Sequence, residues 1–134
     1  MRELTDRDYQ ALAGFRYALR LFLRFSEEQA RLAGLTPNQH QLLLAVRGHP
    51  GPNPPSTSDL ADRLQLRNHS VVELLTRAEA AGLVRRRKDP DDRRRQLVEL
   101  TDEGRALLAQ LTSVHRDELR RFRAELHALL DELD

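Results

Sequence analysis

The sequence predicts a mainly α fold carrying one small β-hairpin, and three observations predict it. Apolar residues recur three and four apart through the first and last quarters of the chain, the period of a helix buried on one face. Gly, Pro and helix-capping residues cut the middle into short helix-sized pieces. A single stretch, Val84 to Leu100, reads as two short strands joined by a turn rich in Asp and Pro.

Taken in order, Arg7 to Ala33 forms the first helix, with Leu12, Phe15, Leu19, Phe22 and Phe25 on its apolar stripe and Gly34 as its C-terminal stop. Thr36-Pro37-Asn38-Gln39 opens the second: a Thr cap, a proline at the first helical position, and a Gln placed to reach back. Leu42, Leu43, Ala45 and Val46 supply its buried face. Gly48 to Pro55 contains four prolines and forms a stiff loop. Ser56, with Asp59 three residues on, caps a third helix through Leu60, Ala61 and Leu64. A turn at Gln65-Leu66-Arg67 leads to a fourth, whose inner face is Val71, Leu74, Leu75 and Ala78 and whose end is Gly82. The strands are Val84 to Lys88 and Arg94 to Leu100, connected through Asp89 to Arg93, with the second half-buried. Thr101, followed by Asp102 and Glu103, caps a long final helix.

Composition excludes more than it assigns. The 134 residues suffice for one domain with a real core, and without cysteine there is no disulfide framework, thiol sensor or Cys-based zinc site. With 22 basic and 21 acidic residues, bulk charge does not announce a polyanionic partner, so charge distribution must carry that argument. No stretch is long and apolar enough for a membrane span and no signal-peptide pattern opens the chain, which sets the expectation of a cytoplasmic protein with no membrane partner. The five histidines lack metal-ligand spacing such as HExxH, and neither a phosphate loop nor a nucleophile elbow occurs, so neither an enzyme nor a cofactor is expected.

Two short helices joined by a tight turn and followed at once by a hairpin constitute a winged helix-turn-helix. In such a unit the second helix enters the major groove by its N-terminal residues, here Arg67, Asn68, His69 and Ser70, with Val72 and Glu73 on the next turn. Asn can pair with adenine and Glu can accept from cytosine. The competing reading is a merely solvated helix face. The hairpin is the stronger signal: Arg85, Arg86, Arg87, Lys88, Arg93, Arg94 and Arg95 crowd one short element, where like charge is unfavourable unless a polyanion or bridging acids compensate. Arg87, Arg93 and Arg94 are the candidate DNA contacts there: arginines at the tip suit a narrow, electronegative minor groove, and those on the strands suit phosphates. The competing reading has Asp89, Asp91 and Asp92 pair with these arginines, Asp92 stiffening the tip.

The terminal helices carry more apolar surface than a compact winged helix can cover, which predicts a homodimer built from both. Leu12, Phe15 and Leu19 on the first, and Phe122, Leu126 and Leu129 on the last, are the candidate interface residues. A helical cap on a monomer is the alternative.

The order and spacing of several motifs resemble the MarR family of bacterial transcription regulators over nearly the whole chain. The most specific are Ala81-Gly82-Leu83-Val84-Arg85-Arg86, Asp89-Pro90-Asp91-Asp92-Arg93-Arg94-Arg95 and Leu97-Val98-Glu99-Leu100-Thr101-Asp102-Glu103-Gly104. Ser58 to Leu64 and Leu35 to Gln39 add to them. The resemblance implies a DNA-binding lobe over residues 36–100 and dimerisation helices over 1–34 and 101–134. It implies a palindromic double-stranded operator read by the helix beginning near Arg67, and wing contacts from Arg93 and Arg94. It also implies repression, and a small-molecule effector bound between dimer region and lobe. Arg16, His40 and His115 are candidate groups there, each with the plainer reading of a partly buried interface residue. The loop from Gly48 to Pro55 is longer and richer in proline than the family pattern, and the missing cysteine removes the family's peroxide-sensing branch. The rival function is a winged helix used for protein–protein contact, which has no general need of an arginine cluster.

Overall fold

The computed structural model describes residues 2–133. The element order is α1 (Asp6–Leu32), α2 (Pro37–Arg47), α3 (Thr57–Leu64), α4 (Asn68–Ala80), β1 (Val84–Lys88), β2 (Gln96–Leu100) and α5 (Asp102–Asp131). This is a mainly α winged helix-turn-helix, α3 and α4 forming the helix-turn-helix and the antiparallel hairpin β1–β2 the wing.

Local chemistry sets most boundaries. The Thr36 hydroxyl accepts from the Gln39 amide while Gln39 Oε1 accepts from the Thr36 amide, and Ser56 and Asp59 exchange the same pair of bonds at α3. Each box satisfies amides that a helix start otherwise orphans. Gly34 and Gly82 take φ of +84° and +77°, which only glycine adopts without strain. In each case the next residue's amide reaches back to the helix, Leu35 to the Ala30 carbonyl and Leu83 to that of Ala78.

One continuous core runs from the end of α1 through α5, with Leu42, Leu43, Val71, Leu75 and Val98 fully inaccessible. Outside it α5, whose 30 residues span about 45 Å, lies along α1. Phe22 stacks on Phe122 with ring centroids 5.4 Å apart. Gly14 lets the helices approach, since a Cβ there would sit 2.7 Å from Leu129 Cδ2.

The wing departs from expectation in two ways. Its second strand begins at Gln96, not Arg94. The Asp92 carboxylate accepts from the Arg94 amide and the Asp92 carbonyl from the Arg95 amide, a local turn that holds both arginines in the connection. Nor is β2 half-buried, because Leu97 and Val98, on opposite faces, are both buried. The end of the proline-rich loop joins the wing: the Pro55 carbonyl accepts from the Val98 amide at 2.9 Å, and Ser56 bridges to Leu97. Asn53, Pro54 and Pro90 line the recess over Leu97.

The base of the wing is tied to α5. The Thr101 amide donates to the Leu83 carbonyl at 3.0 Å and its hydroxyl to the Gly82 carbonyl at 2.6 Å. The same hydroxyl accepts from the Gly104 amide. Gly104 packs so closely beneath the Leu83 carbonyl that no side chain fits there.

Candidate nucleic-acid interface

The turn before α4 passes through Gln65, which adopts the left-handed conformation at φ +55° and closes α3 with its amide on the Asp62 carbonyl. From there α4 points its first turn outward. Arg67, Asn68 and His69 are exposed, Ser70 is half-buried, and Val72, Glu73, Thr76 and Arg77 continue an exposed face opposite Val71, Leu75 and Ala78. Thr76 spends its hydroxyl on the Val72 carbonyl. Asn68, His69 and Glu73 have no side-chain partner among the described residues, and Val72 offers a methyl surface that suits a thymine methyl.

Sequence reasoning missed the way α4 begins. Side-chain oxygens cap α2, α3 and α5, and α1 carries Asp6 and Asp8 in its first turn. Helix α4 has Arg67 in the cap position, no side-chain cap bond and no acid in its first turn. Its leading amides and the positive end of its dipole are left for an external anion such as a phosphate.

The wing arginines divide into tethered and free. Arg86 is bound to Glu79 on α4 through its guanidinium at 2.9 Å and its backbone amide at 3.1 Å, and this pairing holds the Glu79 carboxyl below its usual range. Arg87 Nε donates to Glu99 across the hairpin at 3.0 Å. Arg95 lies 3.7 Å from Asp59, whose carboxylate is held below its ordinary range chiefly by the Ser56 amide. Arg94 donates to Asp92 at 3.2 Å yet keeps 91% of its side chain exposed. Among the described residues Arg85, Lys88 and Arg93 make no such contact. Much of the repulsion expected from seven clustered cations is thus relieved by acids from α3, α4 and the wing itself.

A second feature sits where α2 crosses α1 and α5. His115 is buried, with Nδ1 2.7 Å from the Leu111 carbonyl and Nε2 2.9 Å from Ser26 Oγ. His40 packs on it with ring centroids 4.8 Å apart, and its buried Nδ1 has no partner among the described residues. Burial holds the His40 pKa below the ordinary 6.5, and His115 adds to the effect. The two rings border a cavity of about 300 Å³ walled by Phe22, Leu23, Leu44 and Leu119. Arg16, the third candidate there, is exposed on α1 and does not line it.

Of the candidate interface residues, Phe15, Leu19, Phe122, Leu126 and Leu129 are half-buried and Leu12 is 62% exposed. Phe122 and Leu129 already pack on Phe22 and Gly14 of their own chain.

The same architecture recurs in known proteins. The MarR family profile matches residues 33–95. The transcriptional regulator HosA of Escherichia coli O157:H7 is 34% identical over 109 residues, 78% of each chain. The chain belongs to the MarR family. AbsC, a MarR-family transcriptional regulator from Streptomyces coelicolor, superposes with a TM-score of 0.75 at 28% identity, covering 94% of this chain and 84% of AbsC. MosR of Mycobacterium tuberculosis, solved in complex with DNA, superposes at 0.63 and 27% identity over 81% of this chain and 77% of MosR. This MarR-family chain spans only 58% of the length of HosA from Escherichia coli O111:H- and 65% of that of PecS from Dickeya dadantii. Among the described residues no helix is long and apolar enough to cross a membrane.

Proposed function

We propose that this chain is a sequence-specific, double-stranded-DNA-binding transcriptional regulator. The observation that carries the reading is the start of α4: an uncapped, acid-free helix terminus beside the exposed Asn68, His69 and Glu73, flanked by a wing whose Arg93 and Lys88 have no ion-pair partner among the described residues. In this reading α4 lies in the major groove, with base edges read by Asn68, His69, Ser70 and Glu73 and a phosphate held at the Arg67 end. Arg93 and Arg94 grip the backbone or an adjacent minor groove, and Arg87 contributes more weakly because Glu99 already engages it. The rest of the proposal is a homodimer on a palindromic operator, acting as a repressor in the cytoplasm, with the cavity beside His40 and His115 receiving a small-molecule effector.

The test is titration against mixed-sequence duplex DNA at two salt concentrations, followed by selection of bound sites from a random duplex library. Counterion release predicts steep weakening with salt, and a dimer predicts a two-fold symmetric motif. Salt-independent or absent binding would favour the protein–protein module.

A further inference from the structure

We infer that Arg95 is a further contact to the DNA backbone, held back by Asp59 in the free protein, and that His49 on the proline-rich loop governs its release. The inference rests on the DNA-binding reading and concerns residues outside the contacts named there. One carboxylate oxygen, Asp59 Oδ2, is shared by groups from three elements. It accepts from the Ser56 amide at 2.9 Å, the Arg95 guanidinium stands 3.7 Å away, and His49 Nε2 stands 3.9 Å away. Arg95 reaches it from the wing connection, where backbone bonds to Asp89 and Asp92 fix the main chain. His49 reaches it from a loop shaped around its ring. Pro50 and Pro52 fix φ on either side of Gly51, and a Cβ at Gly51 would lie 2.8 Å from His49 Nε2.

Two cations competing for one oxygen make an exchange. Among the described residues Asp59 is the one acid within ion-pair distance of His49. The other charges on the surrounding elements are Arg47 at the end of α2, Arg63 one turn beyond Asp59 on α3, and Asp89 and Asp91 of the wing connection, which share a recess with Asn53 and Pro54 of the loop. While His49 is neutral, Asp59 keeps Arg95. When the imidazole takes a proton, as histidines do between pH 5 and 8, it matches the Asp59 charge and repels the guanidinium. Arg95 is the partner that leaves, because its side chain is 49% exposed and that of His49, penned by the loop, only 24%. An ion pair this exposed shifts an equilibrium by about fivefold at most, so the hold is weak enough to reverse. The first helix of a helix-turn-helix crosses the DNA backbone, which puts a phosphate beside the gap between α3 and the wing in the proposed complex.

The experiment measures affinity of the full chain for a mixed-sequence duplex across a salt series at about pH 6 and about pH 8. The unsubstituted protein should bind about three- to fivefold tighter at the lower pH, with a salt slope steeper by about one. That slope difference should shrink by about one in His49→Gln and in Arg95→Gln, and any remainder belongs to His69 on α4. Asp59→Asn, whose amide oxygen can still accept from Ser56, should give the steep slope at both pH values. An equal slope at both pH values in the unsubstituted protein, or a difference as large in His49→Gln or Arg95→Gln, would overturn the inference and leave the DNA-binding reading standing. If no duplex binds at either pH, that reading fails, and the exchange is judged by NMR titration of the His49 ring protons. Arg95→Gln should move that titration to higher pH and Asp59→Asn to lower pH; no movement in either sinks the exchange as well.

Discussion

The winged-helix lobe and the helical arm solve the burial problem to different degrees. In the lobe the inward-facing side chains of α2, α3 and α4 disappear, with Leu42, Leu43, Leu60, Val71 and Leu75 at no more than 1% exposure, while Leu44 and Val72 on the outer faces keep 43% and 44%. In the arm, Leu12, Leu119 and Leu130 keep 62%, 48% and 53% of theirs, although Phe22, Phe122 and Leu129 are packed along the same helices. Three short helices and a hairpin close around one core, helped by the end of α1 and the first turns of α5. Two long helices lying side by side bury one seam and leave the outer flanks uncovered. The difference teaches that the core of the lobe is closed within one chain, whereas the arm keeps much of its apolar surface uncovered.

The contrast can be broken most sharply by truncating both sides of it. Leu75→Ala should cost about 2–5 kcal/mol of unfolding free energy, because the site is closed on all sides; urea denaturation reads this directly. Leu12→Glu should leave the chain's own far-UV spectrum intact and weaken self-association by about tenfold or more in sedimentation. A destabilised but still associated Leu12→Glu protein would reverse the assignment. Leu12 is a cleaner probe than Phe122, since a charge at Phe122 also breaks its stacking on Phe22.

The junction between the two regions comes next. Gly104→Ala places a methyl against the Leu83 carbonyl, a backbone group that cannot swing away, and should cost about 1–3 kcal/mol. A neutral result in the same urea assay would mean that α5 can slide relative to the wing.

Within the lobe, Arg93→Ala should weaken binding to most duplexes alike and lower the salt slope by about one. Asn68→Ala or Glu73→Ala should instead relax preference at particular bases, by about 1–3 kcal/mol where the contact is bidentate. Selection profiles that do not differ between wing and helix variants would erase that division.

The smallest effect concerns pH. The His40 pKa is depressed in the folded chain, so below about 6.5 the unfolded chain binds more protons than the folded one. Stability is therefore full above that value and falls as pH drops through it, levelling only below the lower folded-state pKa. His40→Leu should flatten this dependence in thermal melts between pH 7.5 and 5, and an unchanged slope would place the proton uptake elsewhere.

What was legible in the sequence is what short-range chemistry decides. Thr36, Ser56 and Thr101 cap helices because their partners stand three residues away, and Gly34 and Gly82 end helices through their own φ. The placement of Arg94 and Arg95 was not legible, because arginine has no strong objection to a strand and the Asp92 turn holds them out of it. Pairings that join distant elements left no local trace: Arg86 with Glu79, Arg95 with Asp59, and Pro55 with Val98, which turns a loop into part of the wing. His40 and His115 could be named individually, but not their stacking or the Ser26 hydroxyl beneath them, since three separate helices bring them together.

The Thr101 hydroxyl acts as a rivet. Bonded at once to the Gly82 carbonyl and the Gly104 amide, it pins the tail of α4, the root of the wing and the head of α5 at one point. Tilting the wing against α5 therefore means breaking bonds at this one point. If the proposed dimer forms, a rotation of α5 carries the root of the wing with it, and the spacing of the two wings follows from the packing of the arms.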